Sequence, residues 1–387
     1  CVGFGGGGSA GWLTAGFISA EHNANGSESD GLIDIKVTLV ESPDISTIGV
    51  GEGTWPSMRS TLQKMGISET DLIRDCDASF KQGTLFKSWK TGGNDAYTHP
   101  FTPPHSYAST NLAPQWQKFS NEVSFAEAVS SQNALMFKDL APKQISTPEY
   151  AFHTNYGYHL DAGKFAELLR KHCVGKLGVT HLKANVVSIN SSADGDIESL
   201  KTDSHGDVSG DLFVDCSGSR ALLLGEHFGV PFCSKGQFLF NDTALASQIP
   251  YVNADDPIAS STLSTAQTAG WIWDIGLPTR RGIGHVYSSG HTTEDRAAQE
   301  LLAYITATVS PEAAASASIR KVPFSPGHRA KFWHKNCVAV GMSAGFIEPL
   351  EASALVLVEL SAAMIAEQLP ANRQIMDVVA KRFNDKF

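Results

Sequence analysis

Gly6, Gly8 and Gly11 stand at G-x-G-x-x-G spacing, with Ser9 and Ala10 between the last two glycines. In that pattern the first glycine permits a tight turn, the second lets a pyrophosphate approach the backbone, and the third allows a helix to pack closely on a strand. A helix beginning at such a turn offers its unpaired N–H groups and positive end to phosphate. The flanking residues fit. Val2 to Phe4 read as the end of a strand and Trp12 to Glu21 as a helix, while Ile33, Ile35, Val37 and Leu39 alternate as a strand ending at Glu41. Glu41 is placed to accept ribose hydroxyls. It lies beyond the usual ~20 residues because His22 to Gly31 (HNANGSESDG) is turn-rich and reads as an exposed loop. A glycine turn without a ligand is the plain alternative, but the β-α-β frame with an acid at the strand end favours a dinucleotide.

These residues must be held by an α/β body. Asp161 caps a helix (DAGKFAELLRKHC) with Phe165, Leu168 and Leu169 on one face. Val179 to Ile189, Asp196 to Lys201 and Asp211 to Asp215 read as strands. Phe238 to Ile249, Trp271 to Leu277 and Gly284 to Ser288 are further strands and suggest a second, largely β region. Thr293 to Val309 reads as a helix capped by Thr292, and Asn336 to Gly341 as a buried strand before a helix over Ser353 to Gln368. Thr91 to Thr147, rich in Pro, Ser and Asn, receives no assignment.

Composition narrows the partner. The 387 residues are 42% hydrophobic and 18% charged, enough for an ample core in two domains or one large α/β unit. A net charge of −10 without any Lys/Arg block disfavours a nucleic-acid or anionic-membrane surface and points to a small molecule. The six cysteines form no C-x-x-C pair and no zinc spacing, so no metal is expected and a reduced, cytoplasmic setting is. The longest apolar stretch near the end, Ala354 to Val358, is cut by Glu359, and no signal peptide or membrane span is legible. A start at Cys1 inside a strand reads as a fragment or a trimmed chain.

Two later segments choose between the dinucleotides. Asp211-Leu-Phe-Val-Asp215-Cys-Ser217-Gly218 resembles the second flavoprotein motif, and Cys337-Val-Ala-Val-Gly341-Met342-Ser343-Ala344-Gly345 the third. Their order favours FAD. Gly49-Val-Gly51-Glu52-Gly53-Thr54-Trp55-Pro56, Trp271-Ile-Trp273-Asp-Ile275 and Phe346-Ile-Glu348-Pro349-Leu350-Glu351 then resemble, in family order, segments of the flavin-dependent halogenases, the last two matching W-x-W-x-I-P and F-x-E-P-L-E. The resemblance is to the tryptophan halogenases and extends from Cys1 to Phe387.

It implies a flavin-monooxygenase-like Rossmann body with a second, largely β substrate region, its helical C-terminal part missing here. FAD-binding segments would span roughly 1–60, 160–235 and 320–387, with substrate-side segments at roughly 61–159 and 236–319. A separate reductase would supply FADH2, which with O2 and a halide gives hypohalous acid for an electron-rich arene such as tryptophan or indole. A homodimer is left open. The implied cofactor residues are Gly6, Gly8, Ser9, Ala10, Gly11, Glu41, Glu52, Gly53, Val187, Gly218, Gly341, Met342 and Leu355. Trp271 and Trp273 would wall the substrate from the flavin, although a tryptophan pair two apart on a strand is equally at home in a core. Glu351 would be the catalytic carboxylate, stabilising a cationic ring and removing its proton; a helix N-terminal acid answering the dipole is the other reading. Tyr97, His99 and Phe101 resemble part of an aromatic wall, with ordinary loop packing as the alternative.

Three departures stand out. Aligned on Phe80, Lys81, Phe86 and Trp89, the family's catalytic lysine falls on Leu85, which cannot donate a hydrogen bond. Lys87 would share a face with Leu85 in a strand and is the expected substitute, unless it is merely solvated. The halide-site S-T-G reads Ala352-Ser353-Ala354, so Ser353 and Ala354 would hold the halide, with alanine where positive φ is poorly tolerated. The proline of W-x-W-x-I-P is Gly276. Two alternatives to the halogenase are therefore a flavin-dependent aromatic hydroxylase and a flavin-binding relative without activity.

Overall fold

The computed structural model describes residues 2–23, 35–45 and 51–387. Most of the loop expected at His22 to Gly31 lies outside them, as do Ile33, Gly49 and Val50; His22 and Asn23 close the first helix.

A six-stranded sheet carries the dinucleotide turn. Its order is Trp333–His334, Cys337–Ala339, Leu212–Asp215, Val2–Gly5, Val37–Glu41 and Thr180–Lys183. All pairings are parallel except that of the first two strands. Helices Gly8–Asn23, Ala162–Lys176 and Ser353–Glu367 pack together and share a core with it. Parallel strands covered on both faces need no polar side, so Val37 through Val40 are all buried, and Thr38 with them. The alternation legible in the sequence thus marks a strand but not a wet face.

The second sheet is seven-stranded: Arg320–Pro323, Thr243–Pro250, Arg280–Tyr287, Gly270–Gly276, Thr262–Gln267, Gly83–Lys87 and Ala96–Pro100. Only the Thr262–Gln267 and Gly83–Lys87 pair is parallel. One face packs Leu245, Ile249, Ile272 and Ile283 against Ala297, Leu301 and Ile305 of the helix Glu294–Thr308. Successive strand residues point to opposite faces, so the other face carries Trp271, Trp273 and Ile275. A small sheet lies over it, in the order Gly51–Gly53, Gly157–Asp161, Ser79–Lys81. Gly51 makes the approach close, a Cβ there falling 3.5 Å from Ile275.

Asp161 caps its helix as expected, accepting from Lys164 N at 2.9 Å. Thr293, not Thr292, caps the helix Glu294–Thr308, because Thr293 is the extended residue whose hydroxyl meets the Arg296 N–H. The strand expected from Phe238 begins at Thr243; a turn through Lys235 precedes it and leaves Phe238 and Phe240 exposed. The unassigned stretch holds the edge strand Ala96–Pro100 and short helices at Ala113–Trp116, Phe125–Val129 and Gln132–Phe137.

Candidate functional site

The Gly6 turn meets both later segments. Gly6 has φ +122, and a Cβ there would overlap the Cys216 carbonyl; a Cβ on Gly11 would overlap the carbonyl of Gly6. Only glycine fits either position. Cys216 N donates to Gly5 O at 2.9 Å, and Val340 N to Asp215 O at 2.9 Å. Gly341, at φ +71, brings its Cα against Ala10, where a Cβ would lie 3.0 Å from that of Ala10. Ser343 Oγ closes the ring by donating to Gly218 O at 3.0 Å. The buried Asp215 carboxylate accepts from Ser217, Leu223 and Leu224 and so rigidifies the second segment.

The same turn leaves a cradle. Gly8, at φ +78, faces open space, and the N-terminus of the helix Gly8–Asn23 opens beside it. Glu41 lies over Gly7 so closely that any Cβ on Gly7 would overlap its carboxylate. Glu41 Oε2 is also 2.9 Å from His181 Nε2. A cavity of about 240 Å³ adjoins, lined by Trp12, Glu41, Ile45, Arg170 and Lys183 among others. Open N–H groups at a helix N-terminus, a carboxylate at the strand end and an adjoining hollow fit an adenine dinucleotide. Gly341 reaches this turn through Ala10 and Gly218 is tied to Ser343, while Met342 stands 39% exposed. Leu355 is buried in the core of the helix Ser353–Glu367, and Val187 stands 58% exposed on the flanking strand Val186–Ser191.

A second cluster forms where the small sheet meets the residues before Ser353. Lys81 is 0% exposed, and its Nζ has no hydrogen-bond partner. A Cβ on Gly53 would stand 3.1 Å from that Nζ and 3.0 Å from the Ala352 Cβ, so the lysine ends beside the Glu351–Ala352 backbone. The Phe101 ring lies 5.2 Å from Nζ. Burial pushes Lys81 from its ordinary 10.5 down to about 8, opposed by the charges of Glu351 and Glu52. Burial likewise raises Glu52 to about 7, opposed by Lys81. The buried His159 is held well below its ordinary value by desolvation and by Lys81, with Nε2 2.8 Å from Thr262 Oγ1.

Glu351 is pinned at three points. Its backbone is left-handed, at φ 64 and ψ 13, and Ala352 follows at φ 53 and ψ 50. Trp55 Nε1 donates to Glu351 O at 2.8 Å, and His99 Nδ1 lies 3.0 Å from Oε1. Oε2 is buried without a partner, as is Ser353 Oγ at the start of the next helix. Ala354 lies inside that helix, so the positive φ expected of it belongs instead to Glu351 and Ala352.

The tryptophans border this cluster. Trp271 and Trp273 stand edge to face with centroids 6.4 Å apart, and they pack with Leu350, the residue before Glu351. Trp273 lies across Gly284, where any Cβ would overlap its ring.

Lys87 goes elsewhere. In the sheet register Thr84 pairs with His99 and Thr262, and Phe86 with Tyr97 and Ser264, while Leu85 and Lys87 pair with Thr98 and Ala96. Leu85 and Lys87 therefore share a face, as expected, but it is the face opposite His99. Lys81 is the lysine that the fold delivers to Glu351. The motif aligned on Phe80, Lys81, Phe86 and Trp89 points to Leu85 and Lys87 instead, although Lys81 belongs to the same motif. Glu52, expected among the cofactor residues, feels the charge of Lys81, and nothing in the sequence singles out His159.

A dinucleotide fold, a buried lysine under the charge of Glu351 and a tryptophan pair packed with Leu350 fit a flavin-dependent halogenase. Comparison with known proteins agrees: the Trp_halogenase model, for tryptophan halogenases, matches residues 2–387. Tryptophan 7-halogenase RebH of Lentzea aerocolonigenes is 32% identical over 98% of this chain and 71% of its own length. Tryptophan 6-halogenase ThaL of Streptomyces albogriseolus is 32% identical with the same coverage. The crystal structure of a tryptophan halogenase from Shewanella frigidimarina superposes with TM-score 0.95 at 53% identity, covering 100% of this chain and 74% of that one. The chain belongs to the tryptophan halogenase family, whose members use FADH2, a halide and O2. Among the described residues no helix is long and apolar enough to cross a membrane, and no His, Cys, Asp and Glu cluster could hold a metal ion.

Proposed function

We propose that this chain halogenates tryptophan or a free indole with chloride or bromide, and that Lys81 and Glu351 carry the step on the arene. The supporting observation is the buried Lys81 Nζ, without a partner and beside the Glu351–Ala352 turn. When bound, the reduced flavin with O2 supplies the oxidation of halide to hypohalous acid. Lys81 Nζ donates hydrogen bonds to that oxidant and polarises its oxygen–halogen bond. Glu351 stabilises the cation formed on the ring and takes its proton on Oε2, the unpartnered oxygen. Trp271 and Trp273 exclude the arene from the flavin, and a dry chamber keeps the halide poorly hydrated. The first turn of the helix Ser353–Glu367, with its unpaired N–H groups and the free Ser353 hydroxyl, suits the halide itself. Gly6, Gly8, Ser9, Ala10, Gly11, Glu41 and Gly341 would cradle the dinucleotide.

A separate flavin reductase is the expected partner. The five described cysteines are free thiols, which supports a cytoplasmic setting. Protein, reductase, FAD, NADH and either halide are incubated with tryptophan and indole, and products are weighed by mass spectrometry. Halogenated arene is expected from the native chain and Lys87→Ala, with a loss of roughly a hundredfold or more in Lys81→Ala and Glu351→Gln. Oxygenated product without halogen would replace this reading by the aromatic hydroxylase.

A further inference from the structure

The two oxygens of Glu351 are not equivalent. Oε1 lies 3.0 Å from His99 Nδ1, while Oε2 is buried and has no partner. The residue carrying them cannot swing, because its backbone is left-handed and its carbonyl accepts from Trp55 Nε1. His99 is fixed too. It sits on the edge strand Ala96–Pro100 beside Thr84, and Gly83, at φ +147, abuts the His99 carbonyl where any Cβ would clash. Its side chain is nevertheless 63% exposed.

We propose that His99 is a positioning residue for Glu351: its Nδ1–H holds Oε1, so that the lone pairs of Oε2 are directed at the arene. This rests on the halogenase reading of Glu351. In the step so organised, the C–H bond at the newly halogenated carbon breaks, its electron pair restores the aromatic ring, and the proton passes to Oε2. The charged groups around the imidazole are Glu351, in contact, and Lys81 behind it; Tyr97 lies on its own strand and senses Glu351 as well. The hydrogen bond to Glu351 raises the His99 pKa, while partial burial and Lys81 oppose it. Neutral imidazole keeps the Nδ1–H, so deprotonation removes a charge beside Glu351 without removing the bond.

The resemblance to an aromatic wall and the positioning role separate by substitution. His99→Phe keeps a ring and loses the N–H, whereas His99→Asn loses the ring and retains an N–H near the Nδ1 position. Steady-state halogenation of an arene that the native chain accepts should show kcat falling roughly tenfold or more in His99→Phe, with KM within about threefold. His99→Asn should recover most of that kcat and lose the pH inflection belonging to His99. Imidazole NMR of the native protein should show one histidine whose titration moves down in Glu351→Gln. The proposal is overturned if His99→Phe keeps its kcat while His99→Asn suffers in KM, or if no histidine responds to Glu351→Gln. A responding histidine in a native protein that halogenates no arene would instead overturn the halogenase reading of the pair.

Discussion

Gly53 leaves room for Lys81: a Cβ on the glycine would stand 3.1 Å from Nζ and 3.0 Å from Ala352. Both distances are tighter than ordinary van der Waals contact, and of the two neighbours the end of the lysine chain gives way more readily than Ala352, whose Cβ is fixed to a strained turn. Gly53→Ala should therefore displace the lysine rather than unfold the strand. Expected is a loss of roughly tenfold in kcat with flavin affinity within about twofold, read by steady-state halogenation and flavin fluorescence titration. Unchanged kcat would mean that the lysine is not confined by this glycine.

Gly7 stands in the same relation to Glu41. A Cβ there would overlap the carboxylate, so Gly7→Ala must push Glu41 off the strand end. Flavin affinity should fall about tenfold, the worth of a displaced charged hydrogen bond. Fluorescence quenching of FAD measures it without turnover.

Lys81 should cost stability at neutral pH. Its pKa is lowered from 10.5 to about 8, so the folded chain binds fewer protons than the unfolded chain between those values. Stability then rises with pH across that window, and the full penalty is present below about pH 8. Lys81→Met should be more stable than the native chain at pH 7, by about 3 kcal/mol at most. The gap should close toward pH 10.5, where the unfolded lysine also loses its proton. Thermal melts of the flavin-free proteins at several pH values test the sign. Glu52 acts in a lower window: its pKa is raised from 4.5 to about 7, so its contribution falls as pH rises through that interval.

The left-handed Ala352 separates two neighbouring alanines. Ala352→Gly relieves a side chain at φ 53 and should raise stability by about 1 kcal/mol. Ala354→Gly, inside the helix Ser353–Glu367, should lower it by about 1 kcal/mol. Urea midpoints of the two variants should move in opposite directions. A fall of the midpoint in Ala352→Gly would show that Ala352 carries no strain.

Much of this site is written in local sequence, because its parts are local in origin. A glycine turn at Gly6, a helix start and an acid at Glu41 each follow from neighbouring residues. Asp161 as a helix cap is similarly local. Glu351 and the tryptophans are legible because each sits in an ungapped motif, and Leu350 joins the motifs in space.

What the sequence could not decide was which lysine meets Glu351. That depends on the face a strand turns inward and on a second sheet crossing over it, and a pleat reverses every side chain with a shift of one residue. Lys87 looks away from His99 for that reason, while Lys81 reaches the cluster from a different sheet. The tertiary structure also moved the left-handed turn to Glu351 and Ala352, because the helix already begins at Ser353 and Ala354 needs only helical angles. The amino-acid sequence alone determined the cofactor turn and the kind of chemistry. Long-range packing decided which side chains share a dry pocket, since burial, and with it the lowered Lys81 pKa, is a property of the assembled sheets.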